Sequence, residues 1–257
     1  MTRPMTTSAD LVAALDLPAG AFVNRRVPKS LLLENVAPTA ADRRLVSDGI
    51  EEVRWVAALK PATVGVPEFR DERREYVEIA VLSAVLRASA RVARLVELLH
   101  RAVPYPIVLL VEHDGVLSVS LAHKRRSEAE AERIVLDETP TAIELAAPVE
   151  RGLIAQFLEA LALKSQPRAS LYALYQGWLD TLLSFRAACV TGAFEHPLSL
   201  DRAARRRDAL RERERLSQRE SALLAAGRLQ RQVRHLAEIN MELQRVRAEL
   251  ASTTERL

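Results

Sequence analysis

The spacing of apolar and polar positions changes period repeatedly along the chain, and each change marks an element. Ile50, Val53, Trp55 and residues 57–59 read as a strand that Lys60-Pro61 ends. Residues 76–86, with Val77, Ile79, Val81, Leu82, Val85 and Leu86, read as a buried strand. Val92, Leu95, Val96, Leu99 and Val103 then share one face of a helix over 88–103, whose other face carries Arg91, Arg94, Glu97 and Arg101. Residues 107–111 are a continuous apolar run of the kind found in central strands. Asp114-Gly115 signals a hairpin turn, and 116–122 alternate as the returning strand. Short strands are expected at 133–136 and 142–146, separated by 137–141.

Helices dominate the remainder. Residues 1–8 read as a disordered start. Ser8 and Asp10 can cap a short helix over 9–15, and Thr39 caps another over 40–48 with Asp42 favourably placed at its N-terminus. Between these, 21–28 reads as extended and 31–36 is short and apolar. Residues 64–66 suggest a short extended piece, and 67–75 a charged loop. Helices follow over 149–163 and 170–190. The second is apolar on more than one face, so it must be buried on two sides, and Gly192 ends it. The expected fold is α+β: a mixed or mostly antiparallel sheet with packed helices, followed by a long C-terminal coiled-coil-like helix. The chain divides into an N-terminal helix or arm (1–20), a sheet domain (21–148), a helical pair packed on it (149–196) and the long helix (197–257).

That last stretch has the strictest pattern in the chain. Leu229, Leu236, Leu243, Leu250 and Leu257 recur every seven residues, a stripe that another helix must cover. With these leucines at d, the a positions are Val233, Asn240, Arg247 and Thr254; with them at a, the d positions are Gln232, Ile239, Val246 and Thr253. The second assignment gives the more continuous seam, through Leu236, Ile239, Leu243, Val246 and Leu250. Upstream leucines lose this phase near Ala225-Ala226-Gly227, where a kink or stagger is expected because Gly weakens a helix interior. Three covers fit the stripe equally: the chain's own body, a second copy, or a different protein.

Charge sharpens this picture. The whole chain carries +3, yet residues 199–257 hold 14 Arg against 9 Asp and Glu, leaving the rest slightly acidic. A basic tail suits nucleic acid, and equally suits a solvated coiled-coil flank. The single cysteine, Cys189, excludes an internal disulfide and a cysteine metal site, and its apolar surroundings predict a small buried residue. The N-terminus lacks a signal-peptide core and no run approaches membrane-spanning length, so a cytoplasmic, soluble protein is expected.

Catalytic signatures are absent. The eight glycines form no phosphate loop and the five histidines are scattered, so neither a cofactor nor a metal is expected. Three constellations remain. The first places Arg25, Arg26 and Lys29 around an extended Val27-Pro28, and the second is Lys124, Arg125 and Arg126 following His123. Both suit phosphates, or are solvated strand ends. The third is Glu78 within an apolar strand, where a carboxylate needs a partner such as Lys124 or an Arg. A nuclease-like pair of Glu78 and Lys124 is its sharper interpretation.

These same residues resemble a bacterial family, domain of unknown function 4391. The likeness runs through 24–29, 50–61 with Thr63, 77–79, 103–106 and His123-Lys124, and covers roughly residues 10–190. Family members look like companions of helicase and DNA-methyltransferase genes in restriction-like or anti-phage defence clusters. The resemblance therefore implies a non-enzymatic accessory subunit of a DNA-acting antiviral complex. Its protein partner would be a helicase or methyltransferase, or a second copy, bound through the C-terminal helix, with DNA contact as a further role. The alternatives are a metal-dependent nuclease or nucleotide-processing enzyme using Glu78 and Lys124, and a direct DNA-binding module using the two basic clusters.

Overall fold

The apolar run at 107–111 sits where a central strand belongs. The computed structural model describes residues 7–35, 39–128, 134–146, 149–196, 199–230 and 232–257. In chain order the elements are α1 (Ser8–Ala14), β1 (Phe22–Arg26), α2 (Lys29–Asn35), α3 (Ala40–Gly49), β2 (Ile50–Leu59), α4 (Pro61–Val64), β3 (Phe69–Arg70), β4 (Glu75–Tyr76), β5 (Ile79–Leu86) and α5 (Val92–Ala102). There follow β6 (Ile107–His113), β7 (Val116–Leu121), β8 (Lys124–Arg126), β9 (Ile134–Leu136), β10 (Thr141–Glu144), α6 (Arg151–Ala160), α7 (Leu171–Thr191), α8 (Leu200–Leu229) and α9 (Val233–Thr254). The main sheet has the order β1-β2-β5-β6-β7-β10 and is mixed: β5 and β6 run parallel, and every other neighbouring pair is antiparallel. The two small ribbons are β3-β4 and β8-β9.

Two compact units divide the chain at Leu182/Leu183, within α7. In the first, parallel β5 and β6 require a crossover, and α5 supplies it. Leu95, Val96, Leu98, Leu99 and Ala102 of α5 are buried with Ala80, Leu82, Ala84, Ile107, Leu109 and Val111 of the two strands. The intervening Val81, Val108 and Leu110 are buried too, so both faces of the central strands are covered. Asp42 of α3 accepts a two-pronged bond from Arg94 (2.9 and 2.8 Å), which ties α3 to α5. On α7, the buried Tyr175 hydroxyl accepts from Ala122 N (2.9 Å) and donates to Ile107 O (2.8 Å), bridging β6 and β7 where their ladder ends.

Several boundaries differ from the sequence expectation for local reasons. The expected unstructured start falls mostly outside the described residues, and Thr7, rather than Ser8, caps α1 in a reciprocal pair with Asp10. Residues 31–35, expected as a short apolar stretch, belong to a helix, α2, and residue 36 lies outside the described residues. Residues 61–64 form a helical turn, with Pro61 at its first position and Gly65 left-handed at φ 63°, where an extended piece was expected over 64–66. The charged loop folds into the β3-β4 ribbon, which takes Tyr76 from the strand expected over 76–86. Arg133, Pro148 and Pro197, expected at boundaries, lie outside the described residues. Cys189 is exposed rather than buried, because it falls on the outward side of α7 while Ala187 and Ala188 are buried.

The second unit contains the leucine stripe. α9 folds back on α8 as an antiparallel hairpin, with Arg247 Nε 2.7 Å from Glu220, Arg213 Nη1 3.2 Å from Thr254 Oγ1, and Arg219 paired with Glu242. Val246 and Leu243 are buried, and Leu236, Ile239 and Leu250 half-buried, so the seam with leucine at a is the one turned inward. Leu257 is half-buried, whereas Leu229 is 84% exposed. α8 ends at Leu229 and α9 begins at Val233, so the helix runs unbroken through 225–227, where a kink was expected. Gly227 lies within α8 with Ile239 of α9 opposite it. Arg206, buried, donates to Ser184 Oγ (2.8 Å), Glu195 O (2.6 Å) and Leu257 O (3.1 Å), fastening the far end of the hairpin.

Lys124 has a structural task. The residue is 3% exposed, and its ammonium donates to His100 O (2.6 Å) and to Val103 O, the free carbonyls at the C-terminal end of α5. The carbonyls hold the proton on and burial drives it off; burial pushes the group down from 10.5 to about 7.

Two outcomes are expected. Between pH 7 and 10.5 the unfolded chain keeps a proton on Lys124 that the folded chain has shed, so raising the pH across that window stabilises the fold. Thermal denaturation should show the native chain gaining stability over this window relative to Lys124→Met. At Gly227 an added Cβ would meet Ile239 at an ordinary 3.6 Å. Gly227→Ala should therefore stabilise the hairpin by about 0.5–1 kcal/mol through helix propensity, read from urea unfolding followed by circular dichroism.

Candidate nucleic-acid interface

β1 is an edge strand and carries a bulge. Phe22 pairs with Ala57 and Arg25 with Trp55, so one extra residue is inserted, and Asn24 takes it up at φ 49°. Asn tolerates this left-handed conformation better than most residues. The bulge delivers Arg25 and Arg26 to the surface, where both are exposed, and neither is ion-paired with a described residue. Lys29, predicted to act with them, is half-buried and donates to Ser47 O (2.9 Å). Arg87 donates to Asp48 O (3.1 Å), so two cations meet the C-terminal end of α3. Partial burial, then Arg87 and Arg26, lower the Lys29 pKa, against Asp48 and Glu51.

Arg25 and Arg26 border a groove of about 350 Å³ that is otherwise apolar, walled by Leu31, Trp55, Leu82 and Tyr105. Residues 25–28 and 102–105 both line it. Trp55 Nε1 already donates to Ala57 O (2.8 Å), which leaves the indole to the groove as ring surface. A larger cleft of about 670 Å³ is lined by Asn24, Glu52, Arg54, Ser83 and Glu112. Four of its polar groups pair within it: Arg54 with Glu52 at 2.7 Å, and Ser8, which donates to Glu112.

The second basic cluster is committed elsewhere. Lys124 lies under the end of α5. Arg125 pairs with Asp137 (3.2 Å) and Glu128 (3.4 Å), and Arg126 with Glu75 (3.2 Å). His123 bonds the Tyr76 hydroxyl and Gln176 Oε1 (2.9 Å) and lies against the rings of Tyr172 and Tyr175. Burial raises the Tyr76 pKa well above its ordinary range. Sequence reasoning did not find this aromatic cluster, nor the grouping of Trp55 and Tyr105 with Arg25 and Arg26 along one groove. Tyr76, His123 and the α7 tyrosines lie far apart along the chain, as do Arg25, Trp55 and Tyr105, and no local spacing signals either grouping.

Glu78 and Lys124 do not share a partner. The β2-β5 ladder ends with Leu59 opposite Ile79, and the next opposed pair is Lys60 and Glu78, whose charged atoms lie 3.1 Å apart. Glu78 is 5% exposed, and its other oxygen is buried without a hydrogen bond. His100 is fully buried; its Nε2 lies 3.0 Å from Ser120 Oγ, and burial followed by the Lys124 charge lowers its pKa to about 3. Among the described residues, no group of three His, Cys, Asp or Glu could hold a metal ion, and no helix is long and apolar enough to cross a membrane.

Comparison with known proteins gives one family. The profile described as Domain of unknown function (DUF4391) matches residues 15–250, most of the chain and both compact units. No curated protein and no solved structure matches.

Proposed function

The chain belongs to the DUF4391 family, and within that family we propose that it is a non-enzymatic accessory subunit of a bacterial DNA-acting assembly, contacting DNA through Arg25 and Arg26. The carrying observation is the contrast between the two basic clusters. Arg25 and Arg26 stand on a bulged edge strand, exposed and without a carboxylate from a described residue, whereas Arg125 and Arg126 are ion-paired and Lys124 is buried. Guanidinium forks left free in this way suit phosphate oxygens. A restriction or anti-phage assembly, with a helicase or methyltransferase as the partner, rests on the family resemblance alone. The protein contact falls to the α8-α9 hairpin, where Leu229 (84% exposed) and Met241 (64%) are uncovered.

The test is fluorescence anisotropy of labelled DNA titrated with the full chain at several salt concentrations. Two phosphate contacts predict that log affinity falls against log salt with a slope of about −1.8 on duplex and about −1.4 on a single strand. Arg25→Glu with Arg26→Glu should abolish most binding and flatten that slope, while Arg125→Glu with Arg126→Glu should do neither. Salt-independent affinity, or full binding by the first double variant, would remove the proposal.

A further inference from the structure

We infer that the groove beside Arg25 and Arg26 receives one unstacked base, so that the protein takes DNA as a single strand or at a frayed end. This rests on the DNA-contact reading and adds to it the form of the nucleic acid. A groove of about 350 Å³ admits a base and excludes a duplex. Its wall combines two aromatic rings, Trp55 and Tyr105, with Leu31 and Leu82. Every base has an apolar π-face that such a wall can cover, independent of sequence. The indole N–H of Trp55 is occupied by Ala57 O, so the ring offers surface and no competing donor.

Charge places the backbone. A base entering the groove leaves its flanking phosphates at the mouth, and Arg25 and Arg26 are the cations there. The bulge at Asn24 brings both arginines to that rim from one short strand. Lys29 is half-buried and already donates to Ser47 O (2.9 Å), so the anion contact falls to the arginine pair.

Leu31 lines the groove and is 47% exposed, so its replacement by Trp adds bulk at the mouth and leaves both arginines in the sequence. Anisotropy with a short oligothymidylate, a blunt duplex of equal length and thymidine monophosphate would be compared for the native chain, Leu31→Trp, Tyr105→Ser and the Arg25→Glu, Arg26→Glu double variant. Thermal denaturation confirms folding, and Tyr105→Ser serves if Leu31→Trp does not fold. The native chain should prefer the single strand over the duplex. Each groove variant should weaken the single strand about tenfold and leave the duplex unchanged. The arginine variant should weaken both. Binding of the mononucleotide as tight as that of the strand would overturn the inference in favour of a free-nucleotide site. Unchanged single-strand binding by both groove variants, with loss in the arginine variant, would overturn base insertion while sparing the phosphate contact. Displacement of DNA by an acidic, leucine-rich peptide that Leu31→Trp no longer binds, with its DNA affinity intact, would assign the groove to peptide. If the arginine variant binds like the native chain, the DNA-contact reading fails, and base insertion with it.

Discussion

Burial of the α5 face against β5 and β6 is the constraint on which the first unit depends. A parallel pair cannot be joined by a tight turn, so the chain must leave β5, cross the sheet and return to β6. Leu95, Leu98 and Leu99 make the crossing favourable by covering Leu82, Ile107 and Leu109. Once α5 is fixed, so is its C-terminal end. Its free carbonyls call for a cation, and Lys124, arriving just past the end of β7, meets them. The chain leaving α5 at 103–105 becomes one wall of the groove. Packing of a single helix thus places a buried lysine and half of the candidate site together.

Sorting cations by what they already touch separates structure from surface chemistry. Lys29 and Arg87 meet the last turn of α3, Lys124 meets α5, Arg94 grips Asp42, and Arg206 fastens the hairpin. In each case carbonyls, carboxylates or a hydroxyl inside the fold consume donors that a sequence would credit to a ligand. Arg25 and Arg26 differ because the β1 bulge turns them outward at a sheet edge, where no described carboxylate reaches them. Their availability follows from backbone geometry more than from their number.

Features set by local chemistry were legible in the sequence. The Asp114-Gly115 turn has both residues at positive φ, as a two-residue hairpin requires, and Thr39 caps α3 by accepting from Asp42 N. Gly192, at φ 79°, ends α7. Features set by distant partners were not legible. Nothing near Lys124 in sequence says that it is buried; flanked by Arg125 and Arg126, it reads as part of a solvated run. Glu78 clearly needed a partner, but only the register of β2 against β5 assigns it Lys60. Cys189 was misplaced because an apolar helix that must bury two sides still has a third.

The leucine repeat shows the same limit on a larger scale. A heptad stripe requires a facing helix and says nothing about which chain supplies it. Here α8 supplies it, and the β-branched positions Ile239 and Val246 alternate with the leucines along the inward face, as the more continuous of the two seams implied. A seam covered from within ceases to argue for an external coil. Leu229 belongs to the sevenfold spacing and yet is 84% exposed, because the helical path breaks just after it and α9 starts a new phase. The repeat therefore joins two different surfaces: an internal seam that stabilises the hairpin, and an exposed leucine near its tip. Any account of assembly through this region has to begin from the residues that α8 and α9 leave uncovered, not from the heptad that drew attention to them.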